Sequence, residues 1–230
     1  VEVNLSACTS LRAVGADVFA SCDALETVLF PPSLEEIGRF SLSHCPNLMN
    51  ADLRVCTSLR VIGTGALSSC GAPESLVLPL GVEELCRGAM SKCAKLRHAD
   101  LRACASLRVL DVEILSSCGA LESVAFPPGL EEIRCRALSN CPKLKYLDLT
   151  HCASLRVIGA GTLSSCGALE SLVVAADVEE IGDGAMEYCA MLRVVDFRAC
   201  PSLRRIGSKA LRWCEALTSA VFPPGLEEIG

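Results

Sequence analysis

The sequence predicts an α/β repeat, a solenoid of about ten coils whose short parallel strands stack into one sheet. Three observations carry this. A five-residue phrase recurs ten times: LRAVG at Leu11, LEEIG at Leu34, LRVIG at Leu59, VEELC at Val82, LRVLD at Leu107, LEEIR at Leu130, LRVIG at Leu155, VEEIG at Val178, LRRIG at Leu203 and LEEIG at Leu226. The steps alternate 23 and 25 residues, so Leu11, Leu59, Leu107, Leu155 and Leu203 keep a 48-residue register without slippage. Between the phrases lies an apolar alternation with a strand's period of two. A unit this short cannot bury its apolar face alone and must stack on its copies.

Each coil reads as three parts. In LRHADLRACASLRVL, the residues Leu96, Ala99, Leu101, Cys104 and Leu107 occupy the inward positions, and the L-x-L pair inside it marks the strand. Parallel strands about 4.8 Å apart give a rod or shallow arc roughly 45 Å long for ten coils. The second part, LRVIG or LEEIG, is a short extended stretch that carries the chain over the far side. The third part is compact, as in GTGALSSC from Gly63 to Cys70, and predicts a short α or 3₁₀ turn on the outer, convex face. The coils come in two lengths. The longer reads DLRACASL, with six steps from Leu101 to Leu107, and the shorter AFPPGL, with four steps from Phe126 to Leu130. Proline fixes φ and removes a donor, so FPP closes the strand sharply.

Composition bounds the function. Apolar residues are 51% of the 230, enough for a continuous core, and with aromatics at 4% that core is aliphatic. A net charge of −6 and a pI near 5.2 argue against a nucleic-acid partner or an anionic membrane surface, both of which need a basic face. No apolar run approaches the ~18 residues of a membrane span, so membrane insertion is not expected. No basic segment followed by an apolar one marks a signal peptide in this stretch. The sequence opens and closes inside a repeat, which leads to the expectation of a single solenoid over 1–230 that is a piece of a longer chain.

The pattern L-x-x-V-x-F-P-P-x-L-E-E-I-G-x-x-A-L-x-x-C resembles the BspA-like, or Treponema pallidum-type, leucine-rich repeats, and it covers Val3 to Gly230. The interleaved DLxxCxSL coils resemble the cysteine-bearing leucine-rich repeats found in protist versions. The resemblance implies a curved leucine-rich-repeat solenoid, cell-surface or secreted placement, and adhesion or protein recognition. It implies no enzymatic activity and no cofactor.

Sixteen cysteines raise disulfides and zinc. Their spacing favours neither. Cys22, Cys45, Cys70, Cys93, Cys118, Cys141, Cys166, Cys189 and Cys214 form one column, once per coil; Cys8, Cys56, Cys104, Cys152 and Cys200 form another, in every second coil. Neighbours in the second column lie roughly 10 Å apart, beyond a disulfide's reach. Those in the first point the same way, and C-x-x-C is absent, so no metal is expected. The ladder reads as buried free thiols filling space. Free thiols suit a reducing compartment, although a buried ladder would also survive outside the cell.

Two outward columns alternate in charge. The first holds Arg12, Glu35, Arg60, Glu83, Arg108, Glu131, Arg156, Glu179, Arg204 and Glu227; the second includes Glu26, Glu74, Arg97, Glu122, Lys145, Glu170 and Arg193. Alternation cancels the field that an ion track would need, and a one-coil slip would set Glu on Glu, so these columns read as register devices.

The candidate binding residues lie on the solvent side of the L-x-L strands, the expected concave face. One column there holds Leu29, Asp52, Val77, Asp100, Ala125, Asp148, Val173, Asp196 and Val221; His98, Tyr146 and Val194 flank it among several Ser and Thr, and Arg54, Arg102 and Arg198 follow. Apolar residues alternating with carboxylates and guanidiniums read as a protein-recognition strip, or as an ordinary solvated face kept soluble by aspartate. Tyr188 and Trp213 replace small or polar residues before the last two ladder cysteines, and are expected to stack and meet a following segment or a partner. No Ser-His-Asp or Cys-His constellation is assignable, and His44, His98 and His151 share no column. The leading reading is a non-enzymatic scaffold that binds a protein. The alternatives are a structural spacer with end-to-end self-association, and an engineered repeat protein, against which the free thiols argue.

Overall fold

A computed structural model describes residues 1–71 and 74–230. Each coil contributes one strand to each of two parallel stacks. The L-x-L strands run in three sections: Glu2–Asn4, Thr27–Leu29 and Asn50–Ala51; then Ser75–Val77, His98–Asp100 and Ser123–Ala125; then Tyr146–Asp148, Ser171–Val173, Val194–Asp196 and Ser219–Val221. The two-residue strands of the LRxIG and LEEIG phrases, from Ala13–Val14 to Glu228–Ile229, form a continuous ten-stranded sheet in sequence order. The stretch expected merely to carry the chain across is therefore the longer uninterrupted sheet. Its phrase pairs like with like: Val14 with Ile37, Ile37 with Ile62, Ile133 with Ile158.

Between the stacks the core is a set of apolar columns. Leu34, Leu59, Leu107, Leu130, Leu155 and Leu203 are fully buried, as are Ile37, Ile62, Leu110, Ile133 and Ile181. At roughly 1.5–3 kcal/mol per buried aliphatic side chain, this repetition is the main stabilising contribution.

The convex segments differ from the helices they resemble in sequence. They contain no α-helix. The 3₁₀ helix of the described residues, Leu53–Val55, lies instead after an L-x-L strand. Alternate convex residues in the first five coils adopt positive φ, as Gly65 (65°), Leu67 (57°) and Ser69 (55°) do. This turns alternate amides in different directions. Ala66 and Ser68 close turns within the coil onto the carbonyls of Gly63 (3.0 Å) and Gly65 (3.2 Å). Gly65, Leu67 and Ser69 donate instead to Arg87, Ser41 and Ser91 of neighbouring coils at 2.8, 3.0 and 2.8 Å. A helix would keep these bonds to itself; here they join coils.

The cysteine ladder belongs to the same hydrogen bonding. The thiols of Cys45, Cys70, Cys93, Cys118, Cys141, Cys166, Cys189 and Cys214 donate to the carbonyls of Phe19, Leu42, Leu67, Met90, Leu115, Leu138, Leu163 and Met186 in the preceding coil, at 2.7–3.4 Å. Among the described residues no backbone N–H reaches the first six of these carbonyls, while those of Leu163 and Met186 also accept the Cys166 and Cys189 amides at 3.1 and 3.2 Å. Space-filling is thus half the role: cysteine is small, apolar and carries a donor, whereas alanine would leave a buried acceptor unpaired. All sixteen cysteines are free. Burial pushes Cys70 and Cys189 up to about 12, and Cys56, Cys104 and Cys152 up to about 11, so the thiols stay protonated.

The coils approach closely at the glycine that ends the phrase. A Cβ on Gly159 would lie 2.8 Å from backbone atoms of Arg134 and Cys135, and Gly38, Gly63, Gly182 and Gly207 are similarly confined. Cys86, Asp111 and Arg134 interrupt this column. Asp111 uses its side chain to bridge the wider gap, accepting from the Arg87 amide (3.1 Å) and the Arg134 guanidinium (3.2 Å). The strands there keep a single register pair, Leu85 with Leu110.

Two outcomes follow. Gly159→Ala will lower stability by about 1–3 kcal/mol in urea denaturation, from overpacking. Gly167→Ala, with nothing within 4 Å, will be neutral or slightly stabilising. Labelling of the native chain with a thiol reagent will modify Cys8 and Cys135 first, while the eleven buried cysteines will react only on unfolding.

Candidate binding face

The strand pairings fix which candidate residues meet. Along the outward column, Asn4 pairs with Leu29, Val77 with Asp100, Asp100 with Ala125, Asp148 with Val173, and Asp196 with Val221. In the flanking column His98 lies between Ser75 and Ser123, while Ser171 lies between Tyr146 and Val194. His98 Nδ1 is 2.9 Å from Ser123 Oγ, and the Tyr146 hydroxyl donates to Glu170 at 3.2 Å.

The apolar members are not equally available. Leu29 and Val221 are half-buried. Val77 is exposed but bordered by Asp100. Tyr146 (61% exposed), Val173 (44%) and Val194 (48%) occupy three successive strands around Ser171 and are more exposed than Leu29, Val77 and Val221.

The charged members are occupied with one another. Asp52, Asp100 and Asp196 each accept the amide of the residue two positions on, at 3.0 Å. The same carboxylates take the guanidiniums of Arg54, Arg102 and Arg198 at 2.6–3.1 Å. Asp148 does this with Thr150, and Asn4 with Ser6. The residue recurs every 48 positions because the longer coil needs a side-chain acceptor to turn the chain out of the strand, where four of the five shorter coils have proline and the other has Ala175. Aspartate on this face is therefore a turn former, and its arginine is neutralised. The i, i+2 spacing of D-x-R and N-x-S was the available signal for this pairing.

The Arg–Glu column also pairs, with a direction. Each Arg meets the Glu 23 residues on: Arg12–Glu35 (3.3 Å), Arg60–Glu83 (2.7 Å), Arg108–Glu131 (3.5 Å), Arg156–Glu179 (3.8 Å) and Arg204–Glu227 (3.6 Å). All are substantially exposed, so each contributes at most about 1 kcal/mol. On the convex side Tyr188 and Trp213 stack, with centroids 6.3 Å apart and planes 9° from parallel, and the Arg212 guanidinium sits 5.4 Å over Trp213. Both rings are about half exposed and lie apart from the L-x-L face.

Hydrogen bonds from Arg54, Arg102 and Arg198 hold Asp52, Asp100 and Asp196 below the usual carboxylate range, Asp196 at about 2; the Thr150 hydroxyl does the same to Asp148. A depressed folded pKa stabilises above the unfolded value, near 3.9, and is lost as pH falls through the folded one. Stability measured by urea denaturation will fall between about pH 4 and pH 2. Replacing all four aspartates with Asn, which keeps the acceptor, will flatten that dependence.

A profile of the family described as BspA type leucine rich repeat region, of 6 copies, matches residues 2–118 and 108–230. No curated protein matches the chain. Among solved structures, the leucine-rich repeat protein of Treponema pallidum is 25% identical, over 84% of this chain and 78% of that one, with a TM-score of 0.56. A leucine-rich repeat protein from Bacteroides ovatus is 21% identical, over 98% and 73%, with a TM-score of 0.43. A leucine rich cell surface protein from Faecalibacterium prausnitzii is 16% identical, over 100% and 86%, with a TM-score of 0.37. With ten in-register coils and a profile match extending from residue 2 to residue 230, the chain belongs to the BspA-type leucine-rich repeat family.

Proposed function

We propose that the chain is a non-enzymatic binding scaffold that recognises a protein through the solvent face of its L-x-L strands. The observation that supports this is the apolar patch of Tyr146, Val173 and Val194, held on three paired strands and bordered by the Asp196–Arg198 pair. An aromatic anchor among valines, with a polar rim, is the composition of an interface centre. The patch sits on strands rather than on loops, so it is presented without the cost of ordering a loop on binding. Elsewhere on the same face the large apolar residues stand singly: Leu29 and Val221 are half-buried, and Val77 lies beside Asp100, which makes the patch local. Among the described residues no His, Cys, Asp or Glu cluster is placed to hold a metal ion, and no helix is long and apolar enough to cross a membrane.

The test is crosslinking capture with the parent chain and with a Tyr146→Ala, Val173→Asp, Val194→Asp variant, both verified as folded. Loss of a specific partner by at least tenfold in the variant supports the reading. Equal capture by both places recognition elsewhere. Capture of nothing except further copies of the chain favours a self-assembling rod.

A further inference from the structure

We propose that the convex side carries a second site, for a sulfated polysaccharide, centred on Arg39, Lys92 and Arg136. Nearly all of this chain's arginines are committed: among the described residues, every one except Arg39, Arg136 and Arg193 is ion-paired. Two of those three, with the unpaired Lys92, line one open hollow of about 630 Å³. Its one carboxylate, Glu113, is 3.5 Å from Arg87 and is balanced by it. Three of the chain's unpaired cations thus share one hollow, while Lys95, Lys143, Lys145, Arg193 and Lys209 lie outside it.

The floor of the hollow is polar and open to a ligand. Ser68, Ser91 and Ser116 are 7%, 7% and 6% exposed and line it on successive coils. Their hydroxyls hydrogen-bond to nothing in the protein among the described residues. Since no buried polar atom there lacks a partner, each hydroxyl opens into the hollow. At Gly88 a Cβ would meet nothing nearer than the Ser91 hydroxyl at 3.8 Å, where the equivalent positions of other coils carry Phe40, Glu113 and Arg136; over Gly65 the Phe40 ring forms part of the wall. The hollow also lies beside the interruption of the glycine column at Cys86, Asp111 and Arg134. Departures from an otherwise strict repeat are where function is expected to override packing.

The spacing selects the ligand. Arg39, Lys92 and Arg136 belong to every second coil; Lys92 lies four residues further round its coil than Arg136 and five further than Arg39. They step by roughly 10 Å along the axis. That is about the length of a disaccharide, and it matches one acidic group per disaccharide along a chain. Serine hydroxyls both donate and accept, which suits sugar hydroxyls. Single-stranded nucleic acid would present phosphates more closely and would need aromatic platforms for its bases. Of the two rings that line the hollow, Phe40 and His44, Phe40 has the Arg39 guanidinium 4.9 Å from its centroid.

The probe is heparin, titrated against the native chain at two salt concentrations. The parent is expected to bind with an affinity that falls as salt rises, and chemically desulfated heparin is expected not to bind. Arg39→Ala, Lys92→Ala and Arg136→Ala together will weaken binding at least tenfold. Arg193→Ala with Lys209→Ala, which removes exposed unpaired charge elsewhere, will leave it near the parental value. Circular dichroism establishes that both variants fold. A parent that does not bind heparin overturns the proposal, as does equal weakening in the two variants. Equal competition by oligothymidylate overturns the assignment to a polysaccharide.

Discussion

A solenoid coil cannot satisfy its own backbone. Each coil here has two strands of two or three residues, too short to pair with anything inside the coil, and a convex segment whose amides point partly outward. The hydrogen bonds that would bury these groups must come from the coils on either side. Buried amides and carbonyls are costly when unpaired, so this need sets the residue choice at position after position. Where the backbones must nearly touch, glycine appears. Where a convex carbonyl finds no amide, a cysteine thiol reaches it from the next coil. Where the longer coil must leave its strand, an aspartate or asparagine side chain accepts the amide two residues on. Glycine, cysteine and aspartate columns are three answers to one requirement, and the leucine columns supply the free energy that makes stacking worthwhile.

The 48-residue double repeat follows from the same requirement. The 23- and 25-residue coils solve strand exit differently, one mostly by proline and one by an Asx turn. Within the Arg12 to Glu227 column the ion pairs respect that unit: the Arg of each longer coil meets the Glu of the shorter coil after it, and the reverse contact, from Glu35 to Arg60 for instance, does not form among the described residues, while pairs outside this column, such as Glu180–Arg205, join one unit to the next. Exposed pairs of this kind add little stability. The consequence of those in the column is to bind coils into pairs, so that a shift by one coil would exchange the two kinds of exit and place like charges together.

The repeat, its two coil lengths, the parallel strands and the thiol ladder were legible in the residues because each rests on a column of side chains, and columns survive in sequence as spacing. The continuous sheet of LRxIG strands was not, since two residues of strand carry no alternation to detect. Nor was the convex backbone: ALSSC has a helix's apolar pairing, and only the left-handed φ at Leu67 and Ser69 turns those amides toward other coils. For the binding face, sequence placed Asp52, Asp100 and Asp196 in the right column but could not say that Arg54, Arg102 and Arg198 would fold back on them. Exposure decides that question, and the period of a strand assigns only a face.

Once those pairs are recognised as internal, the chemistry left for recognition is small and specific. A repeat protein presents the same surface many times, and a residue that every coil shares is explained by the coil. Discrimination therefore has to come from side chains that the repeat does not require. On the L-x-L face these are Tyr146, Val173 and Val194, where Ser, Asp or Thr would have served the strand as well. On the convex face they are Arg39, Lys92 and Arg136, cations without carboxylates in a chain that pairs nearly all its arginines. The two sets belong to different faces of the coil and differ in chemistry, one apolar, the other cationic and lined with hydroxyls. If both proposed sites are used, each is built on the paired backbone of the stack rather than on a loop that must order, so occupation of one face would leave the other available.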